Sequence, residues 1–308
     1  MQIALIGGTG FIGRYLLEEL LDRGHQPALL IRPGSEAKVY RRESCLLVPG
    51  DVGSMEGIRK TLAGCDAVIY NIGLIRENLR RGITFEELQF KAAKRVMDAA
   101  GELGVERFIL MSANGVRTDG TAYQRTKFLA EQFLKTTDLA WTIFRPSIIF
   151  GDPEGRVEFC TRLRDQLIFL PLPAPLFYEG LLPTDAGTFT MSPVHVKNVV
   201  TMFVKALSMP ETIGKTYHVG GPREYSWREL IKLISQASGR NKWLVPVPAG
   251  FVKAVAALFD RFTSFPITRD QLTMLMEGNT CDSSEVFKLF DIDPIPFTID
   301  NLRYLQAS

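Results

Sequence analysis

The run Gly7-Gly8-Thr9-Gly10-Phe11-Ile12-Gly13 follows directly on the apolar stretch Ile3-Ala4-Leu5-Ile6 and opens a segment with Leu16, Leu17, Leu20 and Leu21 on one side. A strand that enters a glycine turn and leaves as a helix is a strong constraint on fold, because few architectures need three glycines at this spacing. Gly7 makes the tight turn, Gly10 lets backbone approach a pyrophosphate, and Gly13 lets helix and strand pack closely. The unpaired N–H groups and positive dipole end of the helix then face an anion. Gly7, Thr9, Gly10, Phe11, Ile12 and Gly13 are therefore expected to hold the phosphates of a dinucleotide.

The rest of the first half repeats the same rhythm. Strand-like segments at 2–6, 28–32, 46–48, 67–71, 108–112 and 141–145 alternate with helix patterns near 11–23, 54–63, 84–103 and 121–136. Thr84 with Glu87 and Thr121 with Gln124 have capping-box spacing, and Gly24 and Gly104 stand where helices should end. Strands apolar on both faces between helices imply a parallel sheet covered on both sides, an α/β, Rossmann-type doubly wound fold. Beyond Gly151 the rhythm breaks. Residues 167–183 carry four prolines among Leu and Phe, neither regular helix nor central strand, and read equally as a wall of a substrate pocket or a packed connector. The expected division is a dinucleotide-binding domain, 1–150 with a return near 190–207, and a smaller, discontinuous, mixed substrate lobe, 151–189 and 208–308.

Composition excludes several classes. The 36 basic and 34 acidic residues nearly cancel, which leaves no electrostatic footprint for nucleic acid. Cys45, Cys65, Cys160 and Cys281 lie far apart without a CxxC, so reduced thiols of a cytoplasmic protein are expected, with no metal site. No apolar run reaches the ~20 residues of a membrane span. The stretch 244–262 is interrupted by Pro246, Pro248, Gly250, Lys253, Asp260 and Arg261, while Phe251, Val252, Val255, Ala256 and Phe259 recur at helical spacing. A buried or interface helix is expected there, which leaves protein or peripheral membrane contact through the C-terminal lobe open.

The end of the second strand bears on the cofactor. Folds of this kind that take NAD(H) place a carboxylate about 20 residues past the glycines, to accept from the ribose 2′-hydroxyl. Here Ile31-Arg32-Pro33-Gly34-Ser35 offers a planar cation and a hydroxyl suited to a 2′-phosphate. NADP(H) is favoured, with NAD(H) as the alternative. Asp51 and Val52 close the third strand, where the carboxylate can accept from an adenine amino group. Asn71-Ile72-Gly73 close the fourth, where glycine permits close backbone approach.

Tyr123 and Lys127 stand at i and i+4 on one helix face, at the carboxyl edge of the sheet. A fixed lysine cation beside an oxidised nicotinamide is expected to lower the phenol's pKa and make a proton relay. With Gly7-x-x-Gly10-x-x-Gly13, Asp51, Asn71-Ile72-Gly73, Tyr123-x-x-x-Lys127 and Arg145-Pro146-Ser147, the chain resembles the short-chain dehydrogenase/reductase superfamily in its extended, epimerase/dehydratase-like branch. The runs 111–116 and 141–151, Val194-His195-Val196 and Gly220-Gly221-Pro222 are similar to the atypical subgroup around the dehydrogenase-like accessory subunit of respiratory complex I and its bacterial relatives. The resemblance implies that Tyr123 is the acid/base, that Lys127 also holds the nicotinamide ribose, and that Pro146, Ser147 and Ile148 contact the carboxamide end. It also implies a Ser or Thr after the fifth strand that bonds the substrate oxygen; this position falls on Ser112 or on Ala113. His195 reads mainly as a packed or capping residue. Three functions follow: an NADP(H)-dependent oxidoreductase acting on a small or apolar carbonyl or alcohol, a non-catalytic NADP(H)-holding structural or assembly protein, and a nucleotide-sugar epimerase or dehydratase. Arg156, Arg162 and Arg164 would serve the third, although the apolar 167–183 segment favours a less polar ligand.

Overall fold

The structure, a computed structural model, describes residues 1–253 and 267–306; the positions Val255, Ala256 and Phe259 of the expected interface helix lie outside them. Two compact units are present, Met1–Pro146 with Val196–His218, and Ser147–His195 with Val219–Ser308.

The first unit is built on β1 (Gln2–Ile6), β2 (Gln26–Ile31), β3 (Leu46–Pro49), β4 (Ala67–Tyr70), β5 (Arg107–Met111) and β6 (Ala140–Pro146), completed at one edge by Lys215–Val219. Strand order is Lys215–Val219, β6, β5, β4, β1, β2, β3, and the pairings from β6 to β3 are parallel. Order reverses between β1 and β4, the switch point where such sheets bind ligands at their carboxyl ends. Helices α1 (Phe11–Asp22), α2 (Met55–Leu62), α3 (Ala92–Glu102) and α4 (Ala122–Lys135) cover the sheet with Val196–Ala206. Both faces of β1 and β4 are buried, as the unbroken apolar runs require. Thr121 and Gln124 form the expected capping box, and Gly24 and Gly104 take φ of +73° and +70° past their helices.

The helix expected over 84–103 is not uniform. Glu86–Lys91 form a π-turn before α3, in which buried Gln89 donates to Leu74 O at 2.9 Å and accepts from Thr126 Oγ1 at 2.8 Å. A wider turn lets a polar residue face inward with both ends bonded, which apolar periodicity does not report.

The second unit has its own core, with Phe150, Leu176, Phe177, Trp227, Leu230, Ile231 and Phe297 buried together. Its proline-rich segment contains a strand after all: Ala174–Tyr178 pairs in parallel with Leu244–Pro248 in a two-stranded ribbon. Prolines survive because a two-stranded ribbon leaves one side of each strand without a ladder partner. There Pro175 O accepts from Trp227 Nε1 at 2.9 Å.

Candidate functional site

The three glycines of the turn do different work. Gly7 has φ of +99°, and a Cβ there would lie 2.9 Å from Asn71 O. A Cβ on Gly13 would stand 2.2 Å from Gly7 O, inside any allowed contact. These two are required by the protein itself, one by turn geometry and one by helix–strand packing. A Cβ on Gly10 would meet only Gly7 O, at 3.7 Å. Gly10 is thus not demanded by its neighbours, and it caps α1 without a side-chain hydrogen bond or any acidic residue in the first turn. Beside Gly7, Asn71 Oδ1 is buried and accepts no hydrogen bond from the described residues. A cradle with one dispensable glycine, a bare helix N-terminus and an orphaned acceptor fits a dinucleotide.

The neighbouring strand ends lie along the same edge. Arg32 and Ser35 follow β2; Arg32 is exposed and has no ion-pair partner among the described residues. Asp51 follows β3, exposed, its Oδ1 accepting from Gly53 N at 2.9 Å, while Val52 O accepts from Arg95 Nε. Ile72 and Gly73 continue from β4, and Ile72 O accepts from Lys127. One cation here was missed from the sequence. Arg14, buried in the first turn of α1, pairs with Glu18 at 2.5 Å and lies 4.0 Å over the Tyr40 ring, against the same connection that Arg32 opens. Its place right after Gly13 was the available signal.

Tyr123 and Lys127 stand at the head of α4. Lys127 Nζ is buried and donates to Met111 O at 2.8 Å and Ile72 O at 3.3 Å, turned onto backbone carbonyls instead of the phenol. Burial lowers its pKa to about 8, with Glu131 pulling the other way. Tyr123 packs edge-on against Phe85, ring centroids 5.7 Å apart, and its hydroxyl has no hydrogen-bond partner among the described residues. Burial raises the phenol to about 12. The i, i+4 spacing puts both groups on one face, but the ammonium finds stronger acceptors in the carbonyls at the ends of two strands.

Ser112 follows β5 directly. Its Oγ donates to the wholly buried Glu131 carboxylate, which also receives Arg145 Nε at 2.8 Å and Nη2 at 2.5 Å. Arg145 approaches His218 Nε2 at 3.5 Å, and His218 Nδ1 donates to Asn114 Oδ1 at 2.7 Å. Loss of water around the ring, then the Arg145 charge, hold His218 below the ordinary histidine pKa, consistent with that neutral tautomer. Glu131 extends the Tyr123, Lys127 series by a further four residues, so its face was readable; its partners on β5 and β6 were not. Glu131→Gln is expected to destabilise the protein by about 1.5–3 kcal/mol in chemical denaturation, the worth of a charged hydrogen-bonded centre. An unchanged midpoint would mean that the pair is replaceable.

The remaining positions fall in or beside the second unit. Pro146 O accepts from Asn114 N at 2.9 Å, Ser147 Oγ donates to Asn279 O at 2.7 Å, and Ile148 packs on the second core. His195 pairs in a short strand and packs edge-on to Phe150 at 5.0 Å, the expected packed role. Among the described residues no His, Cys, Asp and Glu cluster could hold a metal, and no helix is long and apolar enough to cross a membrane.

Comparison with known proteins agrees with this geometry. The family described as NAD(P)H-binding matches residues 7–166, just over half of the chain. The chain is 27% identical over 313 residues to NADH dehydrogenase [ubiquinone] 1 alpha subcomplex subunit 9, mitochondrial, of Arabidopsis thaliana, covering 95% of this chain and 73% of that protein. It is 25% identical over 312 residues to Photosystem II assembly factor Ycf39 of Cyanophora paradoxa, covering 99% and 91%. Ceramide reductase of Caulobacter vibrioides is 26% identical over 268 residues, covering 86% and 80%.

Proposed function

This chain belongs to the NAD(P)H-binding family, in its extended short-chain dehydrogenase/reductase type, and from that premise we propose that it is an NADP(H)-dependent oxidoreductase acting on a small or apolar carbonyl or alcohol. The observation that carries the reading is Tyr123, a phenol with no hydrogen-bond partner among the described residues, at the head of α4 on the edge that also carries the glycine cradle. The nicotinamide supplies or takes the hydride when bound. With a pKa near 12, Tyr123 keeps its proton at neutral pH and serves as the acid that protonates the oxygen of a carbonyl under reduction. Lys127, fixed by two backbone carbonyls, is the cation that would hold the nicotinamide ribose. Substrate recognition belongs to the second unit, and a similarity to a ceramide reductase supports an apolar substrate. NADPH oxidation against a panel of short and long-chain ketones and aldehydes tests the reading; wild-type turnover of none would overturn it.

Arg32 sets the nucleotide preference. Arg32→Ala is expected to weaken NADPH binding about tenfold to a hundredfold, the loss of a charge-assisted pair of about 1.5–3 kcal/mol, and to leave NADH nearly unaffected. Equal losses, or a wild-type preference for NADH, would remove the NADP(H) assignment.

A second reading has its own support. Ser112 is consumed by Glu131 and Ala113 has no hydroxyl, so the substrate-oxygen partner implied by the family is lacking at both positions. Similarities to a complex I subunit and a photosystem II assembly factor favour a protein that holds NADP(H) without turnover. A nucleotide retained through purification, identified by mass, together with no turnover, would establish it.

A further inference from the structure

The ribbon of the second unit ends in an apolar tip that its own core does not cover. Leu172 is 65% exposed and Trp243 is 81% exposed, with Leu170 beside them. They form one surface: Trp243 O accepts from Ala174 N at 2.7 Å, and Lys242 Nζ donates to Ile168 O at 3.0 Å and to Leu170 O. Pro171 and Pro173 flank Leu172, so the loop holds its side chain outward at little entropic cost. Side chains this exposed stand proud of the surface and do not line a groove.

The charges around the tip decide what it fits. Arg164 is neutralised by Asp165 at 2.7 Å. Arg240, 5.6 Å over the Phe169 ring, and Lys242 have no acidic partner among the described residues. Two cations without an acidic partner, Arg240 and a Lys242 held on two backbone carbonyls, therefore border a protruding Trp and two Leu. Indole at a polar boundary, aliphatic side chains beyond it and long cations whose heads reach back to phosphate make the composition of a bilayer interface. We propose that this tip docks on the surface of an anionic lipid bilayer, with Leu172 and Trp243 entering the headgroup region and Arg240 meeting lipid phosphates. The contact is peripheral and does not depend on a bound nucleotide.

Vesicle co-sedimentation tests it, comparing phosphatidylcholine alone with phosphatidylcholine mixed with phosphatidylglycerol. The full chain is expected to pellet with the mixed vesicles, with its tryptophan emission shifted to the blue. Trp227 is buried and Trp141 half-buried, so Trp243 supplies that shift; Trp243→Phe should bind and lose it. Leu172→Ser with Trp243→Ser should cut partitioning at least tenfold. Arg240→Gln, at an exposed site that leaves the fold alone, should cut it about fivefold, the share of one interfacial cation. A chain that stays in the supernatant with both vesicle types overturns the proposal. So does undiminished binding by the double serine variant, or a dimer in sedimentation velocity that Trp243→Ser dissociates.

Discussion

Gly10→Val is expected to abolish NADPH binding in a fluorescence titration while the far-ultraviolet circular dichroism and Tm stay close to wild type. Gly10 has φ −78° and ψ 179°, an extended conformation open to any residue, and the nearest protein atom to a Cβ there is 3.7 Å away. The loss of a preferred cap costs the fold about 1 kcal/mol. The isopropyl group instead fills the space into which a pyrophosphate must come to meet the N–H groups opening α1. An affinity drop of more than about a hundredfold, or roughly 2.7 kcal/mol, is expected. Gly13→Val is the control with opposite sign. Its Cβ would stand 2.2 Å from Gly7 O, so it should lower Tm sharply whether or not nucleotide is present. Undiminished binding by Gly10→Val would make the glycine turn a structural feature only.

This contrast also marks how far the sequence can be read. The dinucleotide fold was legible because each of its signals is local: apolar runs, a glycine turn, capping residues and helix stops all act within a few residues of where they stand. The capping box at Thr121 and Gln124 and the left-handed Gly24 and Gly104 appear where spacing places them. The candidate site was legible only as far as it is local. Tyr123 and Lys127 share a face because α4 is a helix, yet the ammonium's direction is set by Met111 O and Ile72 O, on segments that no spacing connects to it. Ser112 likewise depends on Glu131 and Arg145, brought together by sheet order and not by sequence distance. The strand Ala174–Tyr178 escaped notice for a related reason. Proline argues against a strand in general but not against one in a two-stranded ribbon, and a ribbon is known only once its partner at Leu244–Pro248 is in place.

Tyr123→Phe is expected to lower the turnover of any carbonyl or alcohol substrate by about 10²–10⁴-fold, the usual share of a positioned acid/base, and to leave NADPH affinity nearly unchanged. The substitution removes one hydroxyl. The edge-on contact with Phe85 belongs to the ring and is retained, and no hydrogen bond to a described residue is lost, so folding should be unaffected. The nucleotide keeps the glycine cradle, Arg32 and Lys127. A fall in kcat with intact binding therefore isolates the proton step, which neither a packing role nor a cofactor-holding role would move. Robust activity in Tyr123→Phe would show that another group carries the proton. If the wild-type chain binds NADPH and turns over nothing in the panel, the absent hydroxyl after β5 is the physical cause to test, since Ser112 is held by Glu131 and Ala113 offers none. Ala113→Ser supplies that group at a half-buried position without disturbing the Glu131 centre. Activity that appears in Ala113→Ser and vanishes again in Ala113→Ser with Tyr123→Phe would mean that the relay is competent and only the oxygen-binding partner is missing. Continued inactivity would leave the chain as a holder of the nucleotide, with Tyr123 a packed residue of α4.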